Sequence, residues 1–525
     1  MDASITAPPR WWQMGVIYQI YPRSFQDSNG DGVGDLPGIL SRLDYLHWLG
    51  VNALWLSPIF PSPMADFGYD VSNYTDIHPL FGTLKDFDTL LTAAHRLRLK
   101  VLLDYVPNHT SDQHPWFLES RSSRTNPRRA WYLWHDPRPD GGPPNNWRSV
   151  FGGGAWQWDE PTGQYYLHTY LTEQPDLNWR NPDVQQAMLA VLRFWLDRGV
   201  DGFRVDAVSR LIKDAAWRDN PPNPDYIPGQ DPYTQLLPTY SRDQPELRDV
   251  IRRMRQVLDE YDDRMMIGEA YLPLPRLLPY YEAGFHFPFN FQLVRLAWQP
   301  ALIRPVIDSY EGLLSGLHWP NWVLGNHDNP RVATRVGMGQ ARVAAMLLLT
   351  LRGTPTLYYG DEIGMRDVRL PSAAARDPWG KNVPGLGRDP ARTPMQWEGG
   401  PHAGFTAGTP WLPIAEDYPQ VNVATLRRDP GSLLSLYWRL LSLRAAEPSL
   451  QTGRYAPVLT DERVLAYKRE QLVVALNFTS EPITVNHNEV RGRITLSTVL
   501  DREGEAVSDV LRLRGDEGVI ISPAE

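Results

Sequence analysis

Eight short apolar runs, rich in β-branched and aromatic residues, recur along most of the chain: GVIYQIYPRSF, ALWLSPI, KVLLDYVPNH, GFRVDAV, MMIGEAY, FHFPFNF, NWVLGNHD and TPTLYYGDEIG. Between them lie LPGILSRLDYLHWLG, FDTLLTAAHRLRL, VQQAMLAVLRFWLDRG and ARVAAMLLLTLRG, whose apolar residues follow helical spacing. Strand alternating with helix implies a parallel sheet, because each helix carries the chain back to the end of the sheet where the next strand starts. Eight such units predict an α/β fold, a (β/α)8 TIM barrel.

The units are unevenly spaced. The stretch between KVLLDYVPNH and GFRVDAV is far longer than one crossover helix and is rich in Pro, Gly and Trp. It reads as an inserted domain after strand 3, residues 105–177, dividing the barrel into a first part, 1–104, and a second part, 178–450. A second Pro/Gly-rich segment, from Arg366 to Pro419, follows the eighth run and suggests a lid or rim loop. Beyond LSLYWRLLSLRAAEPSL the pattern shifts to short strands broken by turns, RVLAYKRE, LVVALNFTS, ITVNHN and RGRITLS, so residues 451–525 are expected to form a C-terminal antiparallel β-sandwich.

Composition narrows the partners. With 52 basic and 61 acidic residues the net charge is −9, and no basic run stands out, which argues against nucleic acid and anionic membranes. The absence of cysteine excludes disulfides, thiolate catalysis and Cys-ligated zinc. No basic-then-apolar start and no apolar segment of about 18 residues are present, so a cytoplasmic location without membrane contact is expected. The 20 Trp and 24 Tyr, many in segments such as WYLWHD, NNWRS and AWQWDE, suit either stacking on sugar faces or the filling of a large core.

Polar residues gather where the strands end, which is where barrel enzymes keep their chemistry. Asp104 and His109 end the third run, Arg204 and Asp206 the fourth, Glu269 the fifth, and His327 and Asp328 the seventh. Convergent carboxylates beside an arginine suit a metal, an internal ion-pair cluster, or a reaction that builds positive charge, such as glycoside cleavage by a carboxylate and a carboxylic acid. Arg204 stands two residues before Asp206 and so shares its strand face, where it would keep Asp206 ionised. Glu269, in an apolar setting, would be pushed up by desolvation. Near the N-terminus, QDSNGDGVGDLPGI places Asp27, Asn29, Asp31, the Val33 carbonyl and Asp35 at the alternate spacing of a calcium loop. Gly38 occupies the position where an EF-hand needs a bidentate Glu, so the stretch is not an EF-hand. It suits a structural Ca²⁺ or Mg²⁺ site, or else a solvated Asp/Asn/Gly turn.

DYVPNHTS, QPDLN, GFRVDAV, IGEAY and GNHDNPR, in this order, resemble the signature regions of glycoside hydrolase family 13, the alpha-amylase superfamily, over nearly the whole chain. The resemblance implies Asp206 as nucleophile, Glu269 as general acid/base and Asp328 as transition-state stabiliser, with Arg204, His109 and His327 lining the glucose subsite. MADFGYD is similar to the family's pocket segment, which implies Asp66 and Tyr69 at the non-reducing end. GRDPARTPMQW implies Arg392 on the same sugar, with Arg388 as the competing assignment. DSNGDGVGD looks like the metal loop of the oligo-1,6-glucosidase branch. QPDLN also points to the α-glucosidase and oligo-1,6-glucosidase branch, while Ala207 after the nucleophile departs from the Val and Thr forms tied to α-1,6 and α-1,4 linkages. No RLDRD-like segment of the sucrose isomerases is present.

The resemblance therefore implies a retaining exo-α-glucosidase that acts on small oligosaccharides or disaccharides, works as monomer or homodimer and needs no organic cofactor. A transglucosidase or trehalose synthase would use the same residues. A non-catalytic relative of the transporter heavy chains would be expected to carry a membrane helix, and a metal-dependent hydrolase to lose activity in chelator.

Overall fold

The computed structural model describes residues 8–523. All eight runs form strands of one parallel sheet: β1 (Ile17–Ile20), β2 (Ala53–Leu56), β3 (Lys100–Tyr105), β4 (Gly202–Val205), β5 (Met265–Gly268), β6 (Phe287–Pro288), β7 (Asn321–Val323) and β8 (Thr354–Tyr358). Parallel pairing runs in chain order from β1 to β6, and β8 joins β7 to β1, which nearly closes the barrel. At the seam between β6 and β7 the Asn321 side chain accepts the Asn290 amide at 3.5 Å. The sequence reveals these strands because helices cover the outside of the sheet and side chains fill the inside. Each strand is buried almost throughout, so an uninterrupted apolar run is what such a strand must contain.

The crossover helices carry their own start and stop signals. Thr83 and Asp86 form a capping box at the helix Leu84–Arg96, and Asn181 caps Pro182–Asp197 with proline in its first turn. Trp195 on the latter helix packs its ring against Phe60 and Phe87 at 5.3 and 5.2 Å and donates Nε1 to the Tyr74 carbonyl. Gly202 opens β4 against the neighbouring chain: a Cβ there would stand 2.1 Å from the Met265 carbonyl oxygen.

Between β3 and β4 lie a helix, Pro115–Ser122, and a three-stranded antiparallel sheet in the order 134–135, 164–167, 156–159. The tryptophans of this insertion pack among themselves and against Trp217, with Trp147 and Trp156 at 5.6 and 5.4 Å from its ring. The core-filling reading therefore holds for Trp147 and Trp156, while Trp158 of AWQWDE stays 36% exposed.

The C-terminal region is antiparallel β, with strands β9 (Tyr455–Thr460), β10 (Val464–Arg469), β11 (Leu472–Asn477), β12 (Ile483–Ser497), β13 (Ala506–Leu513) and β14 (Gly518–Ser522). The six are linked by hydrogen bonds in the order β9-β10-β11-β14-β12-β13 and enclose a core between them, the antiparallel C-terminal domain the sequence predicts. β12 is long and irregular in register, so it pairs with β13 along most of its length and with β14 near its end. Alternate residues serve two cores. Leu465, Tyr467, Val474 and Leu476 pack toward the barrel, while Ala466, Val473, Ala475 and Ile521 join a second cluster enclosed by the sheet itself. No helix of the described residues is long and apolar enough to cross a membrane.

Candidate active site

Arg204 organises the barrel mouth. One guanidinium nitrogen meets Asp104 at 2.7 Å and Asp206 at 2.5 Å, and the other meets Glu269 at 2.8 Å. Asp104 and Arg204 are paired in register across β3 and β4, and Asp206 and Glu269 directly follow β4 and β5, so sheet geometry alone brings the four together. Ala207 adopts a left-handed conformation with φ 46°, uncommon outside glycine, and its N–H donates to the second Glu269 oxygen at 2.8 Å.

Burial is the leading influence on these groups and pushes Asp206 and Glu269 upward, with Asp104 raised to about 6. The sequence argument that Arg204 holds Asp206 low is corrected on this point. One guanidinium divided among three buried carboxylates cannot offset all of them, and the negative neighbours raise Asp206 further. A single proton shared between Asp206 and Glu269 would leave one carboxylate and one carboxylic acid, the pair such a mechanism needs.

Asp328, after β7, is held well below the usual carboxylate range despite its burial by its neighbours, first His327 with Nε2 at 3.4 Å, then Arg388 at 3.1 Å and Arg392 at 3.0 Å. His327 is buried and pulled well below its ordinary value, hence neutral. The Gln19 amide donates to its Nδ1 at 2.7 Å, which leaves Nε2–H facing the Tyr69 hydroxyl at 2.7 Å. Tyr69 in turn donates to Asp104 at 3.0 Å. His109, lowered to about 4 by burial, donates Nε2–H to the Tyr69 carbonyl at 3.0 Å.

These groups border a cavity of about 380 Å³, a size within the range of small-ligand sites. Asp66, Tyr69, His109, Asp206, Glu269, His327 and Asp328 all line it, while Arg204 stands behind the carboxylates it pairs with. Arg392 is displaced from its expected role. It is wholly buried and holds the His327 carbonyl at 2.7 Å from behind. The pocket-lining arginine of that segment is Arg388, which ties Asp66 at 2.7 Å to Asp328 and is itself anchored on Asp377 at 2.6 Å. The segment after β8 is therefore a rim, and it meets the insertion where Phe151 packs on Trp379 at 5.5 Å and under Arg388 at 4.8 Å. Phe151, Tyr170, Tyr233, Arg210 and Arg242 also line the cavity and were not singled out from sequence. Arg210 lies four residues beyond Asp206, the one local signal that could have drawn attention to it.

The stretch from Asp27 to Asp35 lies apart from the cavity-lining residues. Asp27 accepts the amides of Asn29, Gly30 and Gly32, Asn29 accepts that of Asp31, and Asp31 that of Val33. Asp35 caps the following helix through Gly38 and accepts Ser28 with its other oxygen. Among the described residues no three His, Asp or Glu side chains are grouped closely enough to hold a metal. The donor set nevertheless fits a hard cation. It is all oxygen, its side chains are oriented by the turn, and no described lysine or arginine forms an ion pair with any of the three carboxylates.

Comparison with known proteins agrees with the geometry. The model of the alpha amylase catalytic domain matches residues 19–453. A probable alpha-glucosidase of Rhizobium meliloti is 43% identical, with 95% of this chain and 96% of that protein covered. An oligo-1,6-glucosidase of Parageobacillus thermoglucosidasius is 39% identical, covering 90% and 91%. Among solved structures, the alpha-glucosyl transfer enzyme XgtA superposes with a TM-score of 0.92 at 42% identity, covering 98% of this chain and 100% of that one.

If Arg204 is shared as described, the Glu269 proton persists above the ordinary glutamate value of about 4.3. A pH titration followed by infrared spectroscopy, parent minus Glu269→Gln, is expected to show a protonated-carboxyl band that fades only above that value. A band already lost by about pH 4 would contradict the reading.

Proposed function

Starting from the premise that the chain belongs to the alpha-amylase family, glycoside hydrolase family 13, we propose that it is a retaining, exo-acting α-glucosidase that cleaves short α-glucosides through a covalent glucosyl-Asp206 intermediate. The observation that carries this reading is the Arg204 clamp on Asp206 and Glu269 at the wall of a small cavity. The relatives named alpha-glucosidase and oligo-1,6-glucosidase support the same substrate class.

In the proposed mechanism Glu269 gives its proton to the glycosidic oxygen while an Asp206 oxygen attacks the anomeric carbon. The glucosyl–Asp206 bond forms as the glycosidic bond breaks. Glu269, now ionised, takes a proton from water, which attacks the anomeric carbon and frees Asp206. Asp328, kept ionised by Arg388 and Arg392, stabilises the positive charge that develops on the ring. Asp66, Tyr69, His109 and His327 hold the glucose hydroxyls, and the Asp66–Arg388 pair closes the far end, which fits release of one glucose at a time. A sugar in place of water would give transfer, the second reading, which the likeness to XgtA favours.

The same proposal includes a structural Ca²⁺ or Mg²⁺ held by Asp27, Asn29, Asp31 and the Val33 carbonyl, with Asp35 beside it. A bound cation would offset the three carboxylates there and fasten the turn; the carboxylate chemistry does not pass through it.

Proton NMR of maltose turnover is expected to show α-glucose ahead of its β-anomer, and Asp206→Asn to lower kcat by about 10⁴-fold or more with the fold intact. First-formed β-glucose, or an active Asp206→Asn protein, would contradict the mechanism. Chelator is expected to lower the thermal midpoint while leaving turnover at moderate temperature; loss of turnover from a still-folded protein would place a metal in the chemistry instead.

A further inference from the structure

The cavity is electrically divided. Its inner wall carries the carboxylates of Asp66, Asp206, Glu269 and Asp328, and each of these meets Arg204, Arg388 or Arg392. The exposed Arg295, beyond β6, lines it as well, and the segment between β4 and β5 brings in Arg210 and Arg242. Neither forms an ion pair with a described residue, although Arg210 is 8% exposed and Arg242 is partly buried. Arg210 has a single hydrogen bond, from Nη1 to the Tyr233 hydroxyl at 2.5 Å, and its guanidinium lies 5.2 Å from that ring. The Arg242 guanidinium donates to no described residue, and burial together with the Arg210 charge pushes it down to about 10. Buried arginines elsewhere in the chain are satisfied differently: Arg444 and Arg469 each bind two or more backbone carbonyls.

Two guanidiniums facing one cavity without counter-ions repel each other and forgo solvation, a cost that an anion between them would remove. Asp231 lines the same side, but its carboxylate is used on the Tyr233 amide at 3.0 Å. It forms no ion pair with either arginine, and Arg295 also lines the cavity, so this half of the lining carries net positive charge. A planar guanidinium pairs with a carboxylate through two parallel N–H···O bonds.

We propose that the outer half of the cavity is a leaving-group subsite for a carboxylate, so that the enzyme takes α-glucosides of sugar acids or hydroxy acids in addition to neutral ones. The proposal rests on the glucosidase reading. In the reaction, the glycosidic bond breaks with the Glu269 proton passing to the aglycone oxygen, and water supplies the new oxygen on glucose. Glucosyl-gluconate and water thus yield glucose and gluconate, with Arg210 and Arg242 holding the carboxylate throughout.

Maltobionate and maltitol form a matched pair of open-chain aglycones, one ending in a carboxylate and the other in a hydroxymethyl group. The kcat/KM for maltobionate is expected to exceed that for maltitol by about tenfold or more, as hydrogen bonds to charged groups outweigh neutral ones. The ratio is expected to fall toward one in Arg242→Gln and in Arg210→Gln. A merely structural role for either arginine would depress both substrates alike and keep the ratio. A parent ratio at or below one, or a ratio unchanged in both variants, would overturn the proposal and leave the arginines as donors to neutral hydroxyls. Failure to release glucose from maltose, maltitol and maltobionate alike would instead overturn the glucosidase reading beneath it.

Discussion

Three buried carboxylates sharing one buried guanidinium is the constraint on which the rest of this structure depends. Arg204, 1% exposed, cannot be moved without leaving Asp104, Asp206 and Glu269 to repel one another in a low-dielectric site. Its position follows from adjacent strands in register, which places the charge more rigidly than a loop could. The shared charge is too small to offset the burial of all its partners, and that shortfall is what the proposed mechanism draws on for its proton. The same interaction therefore holds the barrel mouth together and equips it for acid catalysis.

A second cationic group works from the opposite side. The rim segment after β8 sends Arg388 to Asp66, Asp328 and Asp377, and Arg392 to Asp328 and the His327 carbonyl. The loops after β2, β7 and β8 are thereby fastened to each other, which leaves Asp328 ionised while burial raises Asp206 and Glu269. Carboxylates a short distance apart thus reach opposite proton affinities because their arginine supply differs: two guanidiniums serve Asp328, while one serves three acids.

The barrel was legible because a strand covered on both faces must be apolar throughout, and all eight runs became strands. The inner carboxylates were legible because barrel chemistry gathers at strand ends and a spacing of two puts Arg204 and Asp206 on one face. What sequence could not settle was tertiary. Arg388 and Arg392 lie four residues apart in one irregular segment, and only the path of that segment decides that Arg388 faces the cavity while Arg392 supports it from behind. The insertion tryptophans suited sugar stacking or core filling equally; Trp147 and Trp156 fill the insertion's own core, and the insertion contributes Phe151 and Tyr170 to the cavity. Arg210 and Arg242 carried no motif, since an arginine without a counter-ion can be recognised only once its neighbours are known. The C-terminal antiparallel β-domain was legible from its short strands, while the length and shifted register of β12, which let the sheet enclose a core, were not.

The central claim is that Asp206 becomes covalently glucosylated while Glu269 handles protons. Its most direct test is peptide mass spectrometry of the protein quenched during turnover of a 5-fluoro-α-glucosyl fluoride, whose ring fluorine slows release of the intermediate. The account predicts one fluoroglucosyl unit on the peptide containing Asp206, accumulating further in Glu269→Gln, where activation of water is lost. A label on Glu269 or Asp328, or sustained turnover with no labelled peptide, would contradict it.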